Sequence, residues 1–251
     1  MINRLTVLLM CIIFLTACQT EKPSKTLTVA AASSLNNAFN ELGQVFEEKS
    51  NISVQFSYAS SGQLTQQIKQ GAPFDVFASA EIYYLEDLAK AGFVEQNTIS
   101  TFGKGRLILY HPDHPNLIDD FNVLLDNDVH HIAIANPEFA PYGKAATEFL
   151  KEIKLYEQVQ EKVVWGENIR QTYQYVKTGN ASIGIVASSL ITRKDHYSKI
   201  DSKFYNPIEQ SIGVISSSPN KEEAREWINF LNSKQAQDIL VKYRLALKEE
   251  S

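Results

Sequence analysis

The chain has 251 residues, of which 44% are hydrophobic and 21% charged, with a formal net charge of -5. That length suits one large domain or two small ones with a full core, and the composition is that of an ordinary soluble globular protein. The negative balance offers no general attraction to nucleic acid or anionic lipid, so any bound anion has to be held by local chemistry.

The first element is a targeting segment. Arg4 precedes an apolar run, Leu5 to Leu15, that is too short to span a bilayer. The run ends in Leu15-Thr16-Ala17-Cys18, which resembles the lipobox of bacterial lipoproteins. That resemblance implies a signal peptide over 1–17, cleavage before Cys18, lipidation of its sulfur, and a tether over 18–25. The alternative is an ordinary signal peptide with an incidental cysteine. Two acyl chains hold a protein on a membrane stably. Cys11 is lost with the signal peptide and Cys18 is blocked by lipid, so the mature domain has no disulfide and no thiolate metal site.

Strands and helices then alternate. Leu27 to Ala32 reads as a strand, followed by a helix from Ser34 with Leu35, Ala38, Phe39, Leu42, Val45 and Phe46 on one face. Asn51 to Tyr58 alternates as a strand, Ser61 to Lys69 is a helix stopped by Gly71, and Phe74 to Ser79 is a third strand. Ile82 to Ala91 is a helix closed by Gly92, and Arg106 to Tyr110 is a strand. The second half gives strands at His131 to Ala135, Ser182 to Ala187 and Ile212 to Ile215, with helices at Gly143 to Lys154 and Asn168 to Lys177. The C-terminus is helical, carrying Ala224, Trp227, Ile228 and Leu231, then Ala236, Ile239 and Leu240. Such alternation predicts an α/β protein with parallel sheets covered by helices. No internal sequence repeat stands out.

Several catalytic patterns fail on inspection. Gly103-Lys104-Gly105 has Ile108 where a dinucleotide loop needs its third glycine. Tyr58-Ala59-Ser60-Ser61-Gly62 has Tyr where a nucleophile elbow needs Gly. His111, His114, His130 and His131 invite a metal reading, but the first two flank prolines and read as solvated loop residues. No enzyme activity and no cofactor are expected.

Four helix starts share one chemistry. Ser34, Ser61, the Pro141-Tyr142-Gly143 triplet and Asn168 each stand where a helix begins, and Asn168 with Gln171 comes close to a capping box. Taken singly, such serines are ordinary N-caps. Together they free backbone N–H groups at the positive ends of four helix dipoles, which suit an anion without any lysine or arginine. The small residues of Ala30-Ala31-Ala32-Ser33-Ser34 let an anion approach the backbone closely.

Five segments in order carry a family resemblance: LTVAAASSLNNAF (27–39), YASSGQLTQQIKQGAPFDVFASA (58–80), ANPEFAPYGKAA (135–146), GENIRQ (166–171) and SIGIVA (182–187). Over about residues 26 to 247 the chain resembles the periplasmic molybdate-binding proteins of bacterial ABC importers. The resemblance implies a two-lobed, periplasmic-binding-protein-like fold of type II, each lobe a mainly parallel sheet flanked by helices. Lobe I would comprise 26–103 and 207–251, and lobe II 104–206. It implies hydroxyl and amide contacts from Ser34 and Ser61 and amide contacts from Tyr142 and Ile169. The fifth family contact, often a tyrosine after the Gly-Ile-Val strand, falls at Ala187, with Ser188 beside it. A replacement donor is therefore expected from Ser188, a neighbouring tyrosine such as Tyr142, or water. No metal cation is ligated directly; molybdate or tungstate is bound as an oxyanion.

The implied function is that of an exported, membrane-anchored monomeric lipoprotein, in the periplasm or on the outer cell surface, that delivers molybdate or tungstate to an ABC permease. Two alternatives stand beside it: a binding protein for sulfate, phosphate or another anion, and an exported serine hydrolase.

Overall fold

The computed structural model describes residues 25–112, 120–192 and 194–247. Cys18, the targeting segment and most of the tether lie outside them, as does His114. In chain order the regular elements are β1 (Lys25–Ala32), α1 (Asn36–Ser50), β2 (Ile52–Ala59), α2 (Ser61–Lys69), β3 (Val76–Ser79), α3 (Ile82–Lys90), β4 (Ser100–Gly105) and β5 (Leu107–Tyr110). They continue with β6 (Ile132–Ala135), α4 (Pro141–Glu152), α5 (Tyr156–Val159), β7 (Val163–Gly166), α6 (Ile169–Lys177), β8 (Ile183–Ala187), β9 (Tyr197–Lys199), β10 (Ile208–Val214), α7 (Lys221–Leu231) and α8 (Lys234–Lys242).

These strands form two five-stranded sheets, ordered β2-β1-β3-β10-β4 and β7-β6-β8-β5-β9. The α/β architecture and the two lobes are as expected. Both sheets are mixed, with four strands running one way and one reversed: β10 runs antiparallel to β3 and β4, and β5 antiparallel to β8 and β9. The chain enters the second sheet from β4 to β5 and returns through β10, so both crossings lie beside these reversed strands.

Local chemistry accounts for most boundaries. Helices α2 and α3 end before Gly71 and Gly92, whose φ of 85° and 81° is the left-handed geometry that closes a helix. The first lobe packs around Trp227 of α7, which meets Phe39 and Phe46 of α1 edge-on at ring-centroid distances of 5.6 and 5.2 Å. That contact ties the C-terminal helices to the first sheet.

Strands β4, β7 and β9 have no expectation in the sequence. Ser100-Thr-Phe-Gly-Lys-Gly105 has neither an apolar run nor clean alternation, and the other two are only four and three residues long. Strand β10 begins four residues before the expected Ile212, because Ile208-Glu-Gln-Ser is too polar to read as buried strand. One histidine reading is corrected. His111 is not a solvated loop residue; it is buried, and its Nε2 pairs with the buried Ser198 hydroxyl at 3.1 Å. His130 and His131 are exposed.

The sheets position the site by their carboxyl-terminal edges. Strands β1, β2 and β3 end at Ala32, Ala59 and Ser79, and β6, β7 and β8 end at Ala135, Gly166 and Ala187. The helix starts singled out in the sequence follow these ends, at the edge where parallel α/β sheets bind ligands.

Candidate functional site

A cavity between the two sheets is lined by Ala32, Ser33, Ser34, Ala59, Ser60, Ser61 and Ala80 from one side and Ala140, Pro141, Tyr142 and Ile169 from the other. The structure thus brings together all four expected contacts, Ser34, Ser61, Tyr142 and Ile169. None of the described lining residues carries a charged side chain.

Three of the helix starts, those of α2, α4 and α6, each leave one amide at the cavity unpaired, because local contacts consume its neighbours. In α2 the Ser60 hydroxyl accepts from Gln63 N–H and the Gln63 side chain accepts from Ser60 N–H, a full capping box. The next amide, Gly62, donates to the Phe139 carbonyl across the cleft at 2.9 Å, which leaves Ser61 N–H at the first helical position. In α6 the Asn168 side chain accepts from both Arg170 and Gln171 N–H at 3.1 Å, which leaves Ile169 N–H. Gln171 does not close a capping box on Asn168; it accepts from Glu167 N–H instead. In α4, Pro141 has no N–H and Gly143 donates to Ala140, so Tyr142 N–H is the remaining donor. Gly143 is required there, since a side chain would collide with the Ala135 carbonyl.

The hydroxyls are arranged as donors. Ser61 Oγ accepts from Ala80 N–H at 3.0 Å, so its own hydrogen is free to turn elsewhere. Ser34 sits in a 3-10 turn, Ser33–Leu35, that precedes α1. Its hydroxyl is buried and makes no hydrogen bond within the protein. The same holds for the phenol of Tyr142, which is almost completely buried. Burial pushes this phenol above its ordinary ionisation range; the nearby Ser34 and Ser189 hydroxyls and Arg106 pull the other way. Neither serine forms a well-shaped hydrogen bond with it. Tyr142 therefore presents a neutral O–H as well as the expected amide.

Ala187 and Ser188 are placed differently. Ala187 is the last residue of β8, paired with Leu107 and fully buried. Ser188 N–H donates to the Arg106 carbonyl, its hydroxyl is buried, and the residue lines a separate cleft with Arg106, Tyr197 and Arg244. The next residue reaches the site instead: Ser189 Oγ donates to the Ser34 carbonyl at 2.7 Å, and Asn37 Nδ2 donates to the Ser189 and Leu190 carbonyls at 3.4 and 3.3 Å. With Gly62 to Phe139 and the Lys144–Glu81 ion pair at 3.1 Å, these contacts join the lobes on both flanks of the cavity.

Ser189, Gly62 and Asn37 have no role assigned from the sequence. A signal for Ser189 is nevertheless present, because Ala32-Ser33-Ser34-Leu35 recurs as Ala187-Ser188-Ser189-Leu190. Both tetrapeptides leave a strand and make a 3-10 turn, one per lobe, and the turns touch. The buried Ser198–His111 pair is too enclosed to act on a substrate, and no group of three metal-ligating side chains occurs among the described residues.

Two α/β lobes that meet around an uncharged, donor-lined cavity define a solute-binding protein. The model of the bacterial extracellular solute-binding protein family matches residues 27–243, and the chain belongs to that family. It is 34% identical to the molybdate-binding protein ModA of Rhodobacter capsulatus over 216 residues, 85% of either chain. It is 31% identical to the putative ABC transporter substrate-binding lipoprotein YvgL of Bacillus subtilis, across 87% of this chain and 85% of that one. The solved periplasmic molybdate-binding protein of Azotobacter vinelandii superposes with a TM-score of 0.85 at 29% identity, covering 89% of this chain and all of the other. These relatives are binding proteins, and this chain is a binding protein and not an enzyme.

Proposed function

We propose that this protein captures molybdate, and tungstate alongside it, between its lobes and hands it to the permease of an ABC importer. The observation that carries the reading is the donor set. Ser34 Oγ and Tyr142 Oη are buried hydroxyls without partners, set among the first amides of three helices in a cavity with no charged side chain. A tetrahedral dianion has acceptors only and would satisfy all of them. Hydrogen bonds to a charged acceptor contribute about 1.5–3 kcal/mol each. About five to seven of them, less the cost of ordering two partners, reach about −8 to −12 kcal/mol, a micromolar to nanomolar dissociation constant.

Ser34 and Ser61 belong to one lobe and Tyr142 and Ile169 to the other, so closure completes the shell and excludes water. In this reading lobe I is 26–103 with 207–251 and lobe II is 104–206, with crossings next to the end of β4 and the start of β10. The Tyr142 phenol supplies the fifth contact that Ala187 lacks. The names of the R. capsulatus and A. vinelandii relatives support molybdate, and that of the B. subtilis relative supports a lipid anchor, here at Cys18. The protein acts as a monomer outside the cytoplasmic membrane.

Calorimetric titration with molybdate, tungstate, sulfate and phosphate tests the assignment. Molybdate and tungstate should bind with similar, sub-micromolar constants and sulfate far more weakly. A ligand at 100 times its dissociation constant adds about 2.7 kcal/mol of stability, so a thermal shift should report the same order. Tight sulfate or phosphate binding without molybdate binding would assign the cleft to a different oxyanion.

A further inference from the structure

The phenol of Tyr142 rests on the crossing between the lobes. A side chain on Gly105, the last residue of β4, would collide with the Tyr142 hydroxyl, and the same point lies 3.0 Å from Nε2 of Gln210. Gln210 is on β10, the return strand, beside a bulge between Gln210 and Ser211 that re-aims the side chains there. It is completely buried, its Oε1 accepts no hydrogen bond, and its Nε2 has only a long contact of 3.5 Å to the Ile208 carbonyl. Two buried polar side chains, each with an unpartnered atom, therefore adjoin over one glycine. A buried carboxamide without partners is costly, and a core position this deep would be served more cheaply by leucine or methionine.

We propose that Gln210 is a positioning residue for Tyr142. This rests on the reading in which the Tyr142 phenol touches the oxyanion. With the anion bound, the carboxamide N–H of Gln210 donates to the phenol oxygen and directs the phenol O–H at the anion. Gly105 leaves the space in which the two meet. The residue that aims the ligand contact thus sits on the strand by which the chain returns between lobes.

The test is a double-mutant cycle read as molybdate affinity by calorimetry on Gln210→Met, Tyr142→Phe and the double variant, with Gln210→Leu as a second probe should the methionine variant fail to fold. Gln210→Met should weaken molybdate binding about threefold to tenfold, the measure of one misdirected hydrogen bond. In the Tyr142→Phe background the same change should have no effect, because there is no phenol left to aim. An equal loss in both backgrounds would assign Gln210 a packing role and overturn the proposal. Wild-type affinity in Gln210→Met beside a weakened Tyr142→Phe would overturn it too, while leaving Tyr142 as a ligand. Wild-type affinity in Tyr142→Phe itself would remove the phenol from the site, and the proposal with it.

Discussion

Ser34→Ala separates binding from folding. Ser34 is 1% exposed and its hydroxyl makes no hydrogen bond within the protein, so its removal takes away no intramolecular hydrogen bond. It also relieves a buried unpaired group, whose cost is about 1–3 kcal/mol. The ligand-free protein should therefore melt at the wild-type temperature or above it. Binding should move the other way. A bond to a charged acceptor in a dry site contributes about 1.5–3 kcal/mol, so the dissociation constant for molybdate should rise about 10- to 150-fold. Ser61→Ala is the control, because Ser61 Oγ also accepts from Ala80 N–H at 3.0 Å and its loss should cost both stability and affinity. Calorimetry and thermal unfolding on the two variants read both quantities. If Ser34→Ala binds molybdate as wild type does, the hydroxyl does not face the anion and is not one of its donors. If it binds weakly only because it unfolds, the hydroxyl has a structural partner after all.

Two further outcomes follow from particular contacts and a third from the lipobox. Gly62→Ala would place a carbon 2.9 Å from the Phe139 carbonyl oxygen and 3.0 Å from its Cα, so the lobes should fail to close; molybdate affinity should fall about tenfold or more while small-angle scattering keeps the open dimensions on adding ligand. Ala187→Tyr introduces a ring at a fully buried position on β8, against which α4 packs, so it should lower affinity for every anion and cost about 1–3 kcal/mol of stability; a variant with unchanged stability and a wider molybdate-over-sulfate margin would show that the space was vacant. Cys18→Ser should abolish lipidation and release the protein from the membrane fraction, and an unchanged mature mass and fractionation would remove the anchor.

What the sequence discloses and what it conceals have physical causes. The α2 boundaries, Ser61 to Lys69, are readable because helix periodicity, a Ser-Ser start and a terminal glycine agree. The candidate serines are readable only as a set, because four helix starts of one chemistry follow one another, whereas each alone is an ordinary N-cap. Strand β4 is concealed because Gly103 and Gly105 exist for close approach, the first to the Leu245 carbonyl and the second to Tyr142, and not for strand propensity. His111 misleads because its Pro112 neighbour suggests a loop, whereas its ring is held by Ser198 from the next strand of the sheet. The contacts that join the lobes, Gly62 to Phe139 and Ser189 to Ser34, pair residues 77 and 155 positions apart, and no local pattern announces such a pairing.

In the proposed site one tetrahedral oxyanion is held by Ser34, Ser61, Tyr142 and Ile169 between the lobes. Crystals grown with molybdate, measured at the molybdenum absorption edge, test it most directly. A single anomalous peak is predicted in the cavity, within hydrogen-bonding reach of the Ser34 and Ser61 hydroxyls, the Tyr142 phenol and the amides of Ser61, Tyr142 and Ile169. A peak elsewhere, or lobes closed on molybdate without contact to Ser34 and Tyr142, would contradict it.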